Sequence, residues 1–150
     1  MLISNFNTLG TLTIRLTDPE GNVKQEQTVN NLVVHTGKEY IAQRIANNST
    51  AVMNYMAVGT SNTSPAVSNI ALVAEIPGSR VTIGASNTTV VSNTTSYVAT
   101  FHSGVGTGAI TEAGIFNDPS AGIMLCRTTF PVVNKGALDT LSITWNITAQ

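Results

Sequence analysis

Leu12, Ile14 and Leu16 alternate with Thr11, Thr13 and Arg15, and the same two-residue period returns in Leu141-Ser142-Ile143-Thr144-Trp145-Asn146-Ile147. An apolar side chain at every second position marks a strand with one face buried and the other in water. This period constrains the fold most, because the remaining apolar stretches are also short and bounded by turn formers. The expected strands are 11–16, 23–29, 31–34, 55–58, 80–83, 97–101, 110–116, 123–130 and 141–147. Between them stand Asp18-Pro19-Glu20-Gly21, Pro77-Gly78, Gly104-Val105-Gly106-Thr107-Gly108, Asn117-Asp118-Pro119 and Asn134-Lys135-Gly136, all suited to turns. Trp145 shares a face with Leu141, Ile143 and Ile147 and is expected in the core.

One segment departs from the pattern. Thr36 and Glu39 have capping-box spacing, and Ile41 and Ile45 with Ala42 and Ala46 form an apolar stripe that ends at Asn47-Asn48-Ser49. A helix from Thr36 to about Ala46 is predicted. Residues 70–74 fit either a helical turn capped by Asn69 or a strand. The echo of Ser86-Asn87-Thr88-Thr89 in Ser92-Asn93-Thr94-Thr95 has too few copies for a solenoid and reads as a polar strand edge or loop. Short strands, one short helix and no strand–helix alternation predict an all-β fold: one antiparallel β-sandwich or jelly-roll-like domain over residues 1–150. A parallel sheet would need crossover helices that the sequence lacks.

Composition narrows the partners. Only 10% of the 150 residues are charged, the formal net charge is −1, and Thr, Ser and Asn contribute 22, 12 and 15 residues. Such a surface is polar without being ionic, which argues against nucleic acid or an anionic membrane as partner. No apolar run approaches the ~20 residues of a membrane span, and Met1-Leu2-Ile3-Ser4-Asn5 lacks the pattern of a secretion signal, so synthesis in a cytoplasm is expected. Cys126 stands alone in Ile123-Met124-Leu125-Cys126 and reads as a small buried hydrophobe.

A search for chemistry yields little. Neither His35 nor His102 has a partner at metal-ligand spacing, and no Gly-x-Ser-x-Gly elbow occurs, so no catalytic residue, metal or cofactor is expected. The run of Gly104, Gly106 and Gly108 lacks the Gly-Lys-Ser/Thr ending of a phosphate cradle and reads as a flexible turn. Glu75, Arg80, Glu112 and Arg127 are charges in otherwise apolar surroundings, where a charge is costly unless paired. A functional reading makes Glu75 and Glu112 a glycosidase-like carboxylate pair. The favoured structural reading pairs each glutamate with Arg80 or Arg127 across neighbouring strands.

The hairpin region 10–34 ending in Asn31-Leu32-Val33-Val34, then Gly37 and the helix, then Met56-Ala57-Val58-Gly59-Thr60, resembles small virion proteins of tailed bacteriophages. Leu72-Val73-Ala74-Glu75-Ile76, Ile110-Thr111-Glu112-Ala113-Gly114-Ile115-Phe116-Asn117 and residues 141–147 continue the resemblance in order. It implies a virion protein, with the glutamate of Glu-Ala-Gly-Ile-Phe not a catalyst. The absence of heptads or a long repeat favours a compact capsid decoration (cement) protein over a fibre shaft. The alternatives are a tail-fibre or baseplate component, or a glycan-binding receptor module using the Thr/Asn-rich segment 85–96.

A cement protein of near-zero charge has little long-range steering and must attach by contact area and repetition, which predicts a homotrimer bound to the major capsid protein. Residues 1–9 are a candidate N-terminal arm, with Leu2, Ile3 and Phe6 as contacts. An edge strand completing the same sheet is the equal alternative for this segment.

Overall fold

The computed structural model describes residues 6–150. Nine strands, β1 (Thr8–Thr17), β2 (Val23–Val33), β3 (Tyr55–Gly59), β4 (Val81–Thr82), β5 (Thr88–Val91), β6 (Thr94–Phe101), β7 (Gly108–Phe116), β8 (Met124–Lys135) and β9 (Thr140–Ala149), form one sheet. All ladders are antiparallel, in the order β4-β3-β7-β8-β2-β1-β9-β6-β5, and one α-helix, α1 (His35–Ile45), follows β2. The sheet curls on itself, so Leu12, Ile14, Phe101, Ile143 and Trp145 of one half meet Met56, Val58, Ile110, Ile115 and Val133 of the other in a single core. The all-β, antiparallel, single-domain architecture follows directly from the two-residue period, which places one apolar face of every long strand on that core.

The curl has a seam. β2 and β8 are laddered only through Leu32–Arg127 and Val33–Cys126. Further along, the Gln25 and Gln27 side chains donate across the gap to the carbonyls of Val132 and Pro131 at 3.2 and 2.8 Å. Pro131 lies in this unladdered stretch, opposite a register shift in β7 between Ile110 and Glu112, where its missing amide hydrogen costs nothing. The β1–β2 hairpin turns on Asp18, whose carboxylate accepts from the amides of Glu20 and Asn22 and from the Asn22 side chain. Gly21, at φ +87°, closes that turn.

Several sequence expectations change. Residues 31–33 are not a separate strand but continue β2, and the expected strand 80–83 shrinks to β4. Residues 70–74 are neither helix nor strand; they bend across the outside of the sheet. The Ser-Asn-Thr-Thr echo folds into the β5–β6 hairpin at the sheet's edge.

The predicted capping box does not form. The helix begins at His35 with no side-chain cap, the Thr36 hydroxyl donates to the Met124 carbonyl at 3.0 Å, and Glu39 faces His35. Nor is Ile45 buried: it is 78% exposed. The reason is Gly37, where any Cβ would run into the Leu125 backbone, so the helix docks there and turns Tyr40, not Ile45, inward.

Candidate functional site

Residues pointing away from the core on β3, β7 and β8 would ordinarily meet water. Here they are Ala57, Gly59, Glu112, Gly114, Phe116 and Arg127, and the long connection 60–80 lies over them. Its backbone joins β3 through Thr60 to Ala74 and Ile76 to Val58, both at 2.9 Å, and Leu72 packs with Ala57, Phe116 and Met124.

Beneath this cover sits a fully buried ion pair. One Glu112 oxygen accepts from the Ala74 amide at 2.7 Å; the other accepts from the Val73 amide at 3.1 Å and from Arg127 Nε and Nη2 at 2.8 Å each. Arg127 also donates to Asn69 Oδ1 and to the Thr63 carbonyl. Both side chains are 0% exposed. The geometry meets the condition for keeping two charges out of water, namely close contact with the remaining donors and acceptors engaged.

Glycine makes the cover possible: a Cβ on Gly59 would clash with Glu112 and lie 2.5 Å from the Ala74 carbonyl, and one on Gly114 would sit 3.0 Å from Leu72 and 3.2 Å from the Cys126 carbonyl. Glycine inside a strand is the signal for such close approach. The hydrogen-bond partners Thr63, Asn69, Val73 and Ala74 carry no sequence signal of their own, since any residue can offer a backbone amide.

The second pair, Glu75 with Arg80, is two-pronged at 3.0 and 2.7 Å. Arg80 also donates to the carbonyls of Asp118 and Ala121 and lies 3.8 Å from the centroid of the Phe116 ring. It therefore ties the end of the connection to the β7–β8 turn. The structure brings each glutamate to an arginine, and neither carboxylate is offered to a groove as its glycosidase-like pairing would require. Among the described residues, no group of three or more His, Cys, Asp or Glu side chains is placed to hold a metal, and no helix is long and apolar enough to cross a membrane. Cys126 is wholly buried, which pushes its thiol pKa up.

At one end of the curled sheet, α1 covers the opening incompletely. Three adjoining hollows of about 200, 370 and 520 Å³ run from Phe6 and Ile45, past Leu125 and Ile147, to Thr95, Tyr97 and Thr88. Burial also pushes the Tyr97 phenol pKa well up. Among the described residues, Lys38 and Arg44 are the charged ones in this lining, and no carboxylate joins them.

Of the three expected contact residues, Phe6 lies here, 65% exposed, while Leu2 and Ile3 lie outside the described residues. Thr8 and Leu9, which were included in the candidate arm, instead belong to β1 and pair with Ala149 and Thr148. Compared with protein-family models, with curated proteins and with solved structures, the chain matches none.

Proposed function

We propose that the chain is a non-enzymatic structural protein of a tailed-bacteriophage virion: a homotrimeric capsid decoration protein, made in the host cytoplasm, that binds and stabilises the assembled shell. The resemblance supports the virion reading, and its scattered segments fall on β1–β2, α1, β3, the connection 60–80, β7 and β9. The observation that carries the attachment is the exposed apolar pair of Phe6 and Ile45, which line one hollow beside the start of β1. Charge adds little beside it: Arg15, Lys24, Arg80 and Arg127 are each paired with a carboxylate, which leaves Lys38 and Arg44 as the cations beside this apolar pair. The partner contact is assigned to Leu2, Ile3 and Phe6.

A protein that binds only the assembled shell stabilises it by mass action. The test is to add purified protein to shells assembled without it and measure occupancy and heat resistance. Saturable binding with a raised disruption temperature is expected; no binding overturns the proposal. One observation favours a second reading, a glycan-binding module: Ala85, Thr88, Val90 and Thr95 of segment 85–96 line the largest of the three hollows at the open end. Saturable signal on a glycan array, without shell binding, would select it.

A further inference from the structure

We infer that the largest of the three hollows at the open end is a binding site for an acidic sugar, whose carboxylate Arg44 holds and whose ring lies against Tyr97. This rests on the glycan-binding reading above, names the class of sugar it would take, and is independent of attachment to a shell. Phe6, Asn7 and Thr8 take no part in the lining of this hollow.

Charge and hydrogen bonding argue for the acid. Among the described residues Arg44 is the one charged group in the lining, and no carboxylate neutralises it there. Its Nη1 donates to the Thr50 carbonyl at 3.0 Å, which ties the guanidinium to the wall. Nε and Nη2, the pair that a carboxylate engages side-on, have no partner among the described residues. Tyr40 accepts the Met53 amide on its hydroxyl oxygen at 3.2 Å, so its own hydrogen remains to donate. The Tyr97 hydroxyl has no partner among the described residues, and because burial pushes its pKa up it stays a protonated donor. Tyr40, Arg44 and Tyr97, together with Thr95, also line the adjoining hollow of about 370 Å³, so α1 and β6 bring them to one junction.

The remaining walls argue for a sugar over a simpler acid. Asn54 Oδ1 accepts from the Gly84 amide at 2.9 Å, which fixes the carboxamide and leaves Nδ2 to donate. Thr88 donates to the Gly84 carbonyl at 3.1 Å, which leaves its oxygen to accept, and Thr95 Oγ1 has no partner among the described residues. An aliphatic acid would strand these groups, whereas each sugar hydroxyl both donates and accepts. Val52 and Val90, 55% and 69% exposed, join the tyrosine rings as apolar surface for the C–H face of a sugar. At about 520 Å³ the hollow falls within the roughly 300–1,000 Å³ of small-ligand sites.

The experiment titrates the full chain, labelled with nitrogen-15, with sodium glucuronate, glucose and sodium acetate in separate series at one ionic strength. Glucuronate is expected to shift the amide signals of residues 40–44, 52–54 and 85–97 saturably. Glucose and acetate should each need about ten times the concentration to do so, the worth of a charge-assisted pair or of the ring contacts that each lacks. Arg44→Gln should weaken glucuronate about tenfold and leave glucose where it was. Tyr97→Phe, which keeps the ring and loses the hydroxyl, should weaken glucuronate by less. The comparison of the three ligands on the parent chain stands whether or not a variant folds. Equal shifts from glucuronate and glucose, or a preference that survives Arg44→Gln, overturn the acidic class and leave the glycan reading standing. Equal shifts from acetate and glucuronate overturn the sugar and leave a site for anions only. Absence of a saturable glucuronate shift in these segments overturns the inference; signal from neutral glycans on an array would then keep the glycan reading, and a silent array would remove it as well.

Discussion

The outer face of β7 and β8 and the open end beside α1 begin with the same difficulty: apolar side chains that the curled sheet alone does not cover. On the outer face, the connection 60–80 lies down over Ala57, Gly114 and Phe116, and Glu112 and Arg127 take up its turned-in amides and carbonyls. At the open end, α1 is held at its start by Gly37 and Thr36 against β8 and leaves Ile45 in water at its finish. The buried charges act as a template for an irregular segment with no ladder of its own over most of its length. The open end has no such template, and its lining of apolar side chains with Lys38 and Arg44 stays uncovered.

Breaking the closed side should have the largest effect. Glu112→Gln leaves Arg127 buried without its counter-charge, a loss of about 3–5 kcal/mol, or on the order of 6–20 °C in melting temperature for a domain of this size. Thermal unfolding followed by circular dichroism reads it directly. Parental stability in the variant would mean that the pair does not hold the cover. Replacing both partners with apolar residues, as Glu112→Leu with Arg127→Met, should recover part of the loss, since no charge is then stranded.

A smaller effect is expected from the space beneath the cover. Gly59→Ala forces a methyl against Glu112 and the Ala74 carbonyl and should cost about 1–3 kcal/mol, with faster proteolysis within 60–80 than in the parent. Gly114→Ala, whose neighbours stand at 3.0 and 3.2 Å, should cost less. If the two rank the other way, the connection is seated through Leu72 and not through the ion pair.

What the sequence disclosed follows from the range of the interactions involved. The strands were legible because alternation in Leu12–Leu16 and Leu141–Ile147 is a local signal that the curl amplifies without altering. Glu112 and Arg127 stood out because charge among apolar neighbours is locally anomalous, but choosing which glutamate meets which arginine needed the β7–β8 register, a contact between distant residues. The helix cap was misread because Thr36 and Glu39 satisfy a local rule that a tertiary contact, Thr36 with the Met124 carbonyl, overrides. The open groove was invisible because it is a shape enclosed by residues from five segments, none unusual alone.

The far end of the strands sharpens the contrast, because it is closed by turns and charge instead of a helix. Asp139 accepts from Lys24 at 2.7 Å and from the Gly136 amide at 2.8 Å, and these bonds, the one from Lys24 foremost, hold its carboxyl below the usual range. Beside it, burial pulls the Lys135 ammonium below the ordinary lysine value, while Asp139 acts in the opposite direction. A carboxylate with a depressed folded pKa contributes stability that is complete above its unfolded value of about 3.9 and is lost as pH falls through the folded value. Asp139→Asn should therefore lower the melting temperature at pH 7 and flatten its decline below pH 4 relative to the parent. A decline that is unchanged would place the acid sensitivity elsewhere, with Asp18 of the β1–β2 turn, also held low by its hydrogen bonds to Asn22, the next group to replace.

The smallest effect on folding should come from the open end. Ile45 is 78% exposed on the last turn of α1 and contributes little to the core, so Ile45→Ser should leave the unfolding free energy of the isolated chain within about 0.5 kcal/mol of the parent's. If the shell rests on it, as the proposed attachment requires, the same change removes apolar area at the contact, worth roughly 25 cal/mol for each Å² no longer covered. A trimer would present the patch on every arm, so the loss would recur at each. Binding of the variant to undecorated shells should then need a higher protein concentration than binding of the parent, while its circular dichroism is unchanged. Lys38→Ser, a neighbour in the same lining but without apolar area at its tip, serves as the control and should leave shell binding where it was. An Ile45→Ser chain that is less stable but binds no more weakly would show that the helix end is part of the core after all, and the difference between the two ends of the molecule would then be one of degree.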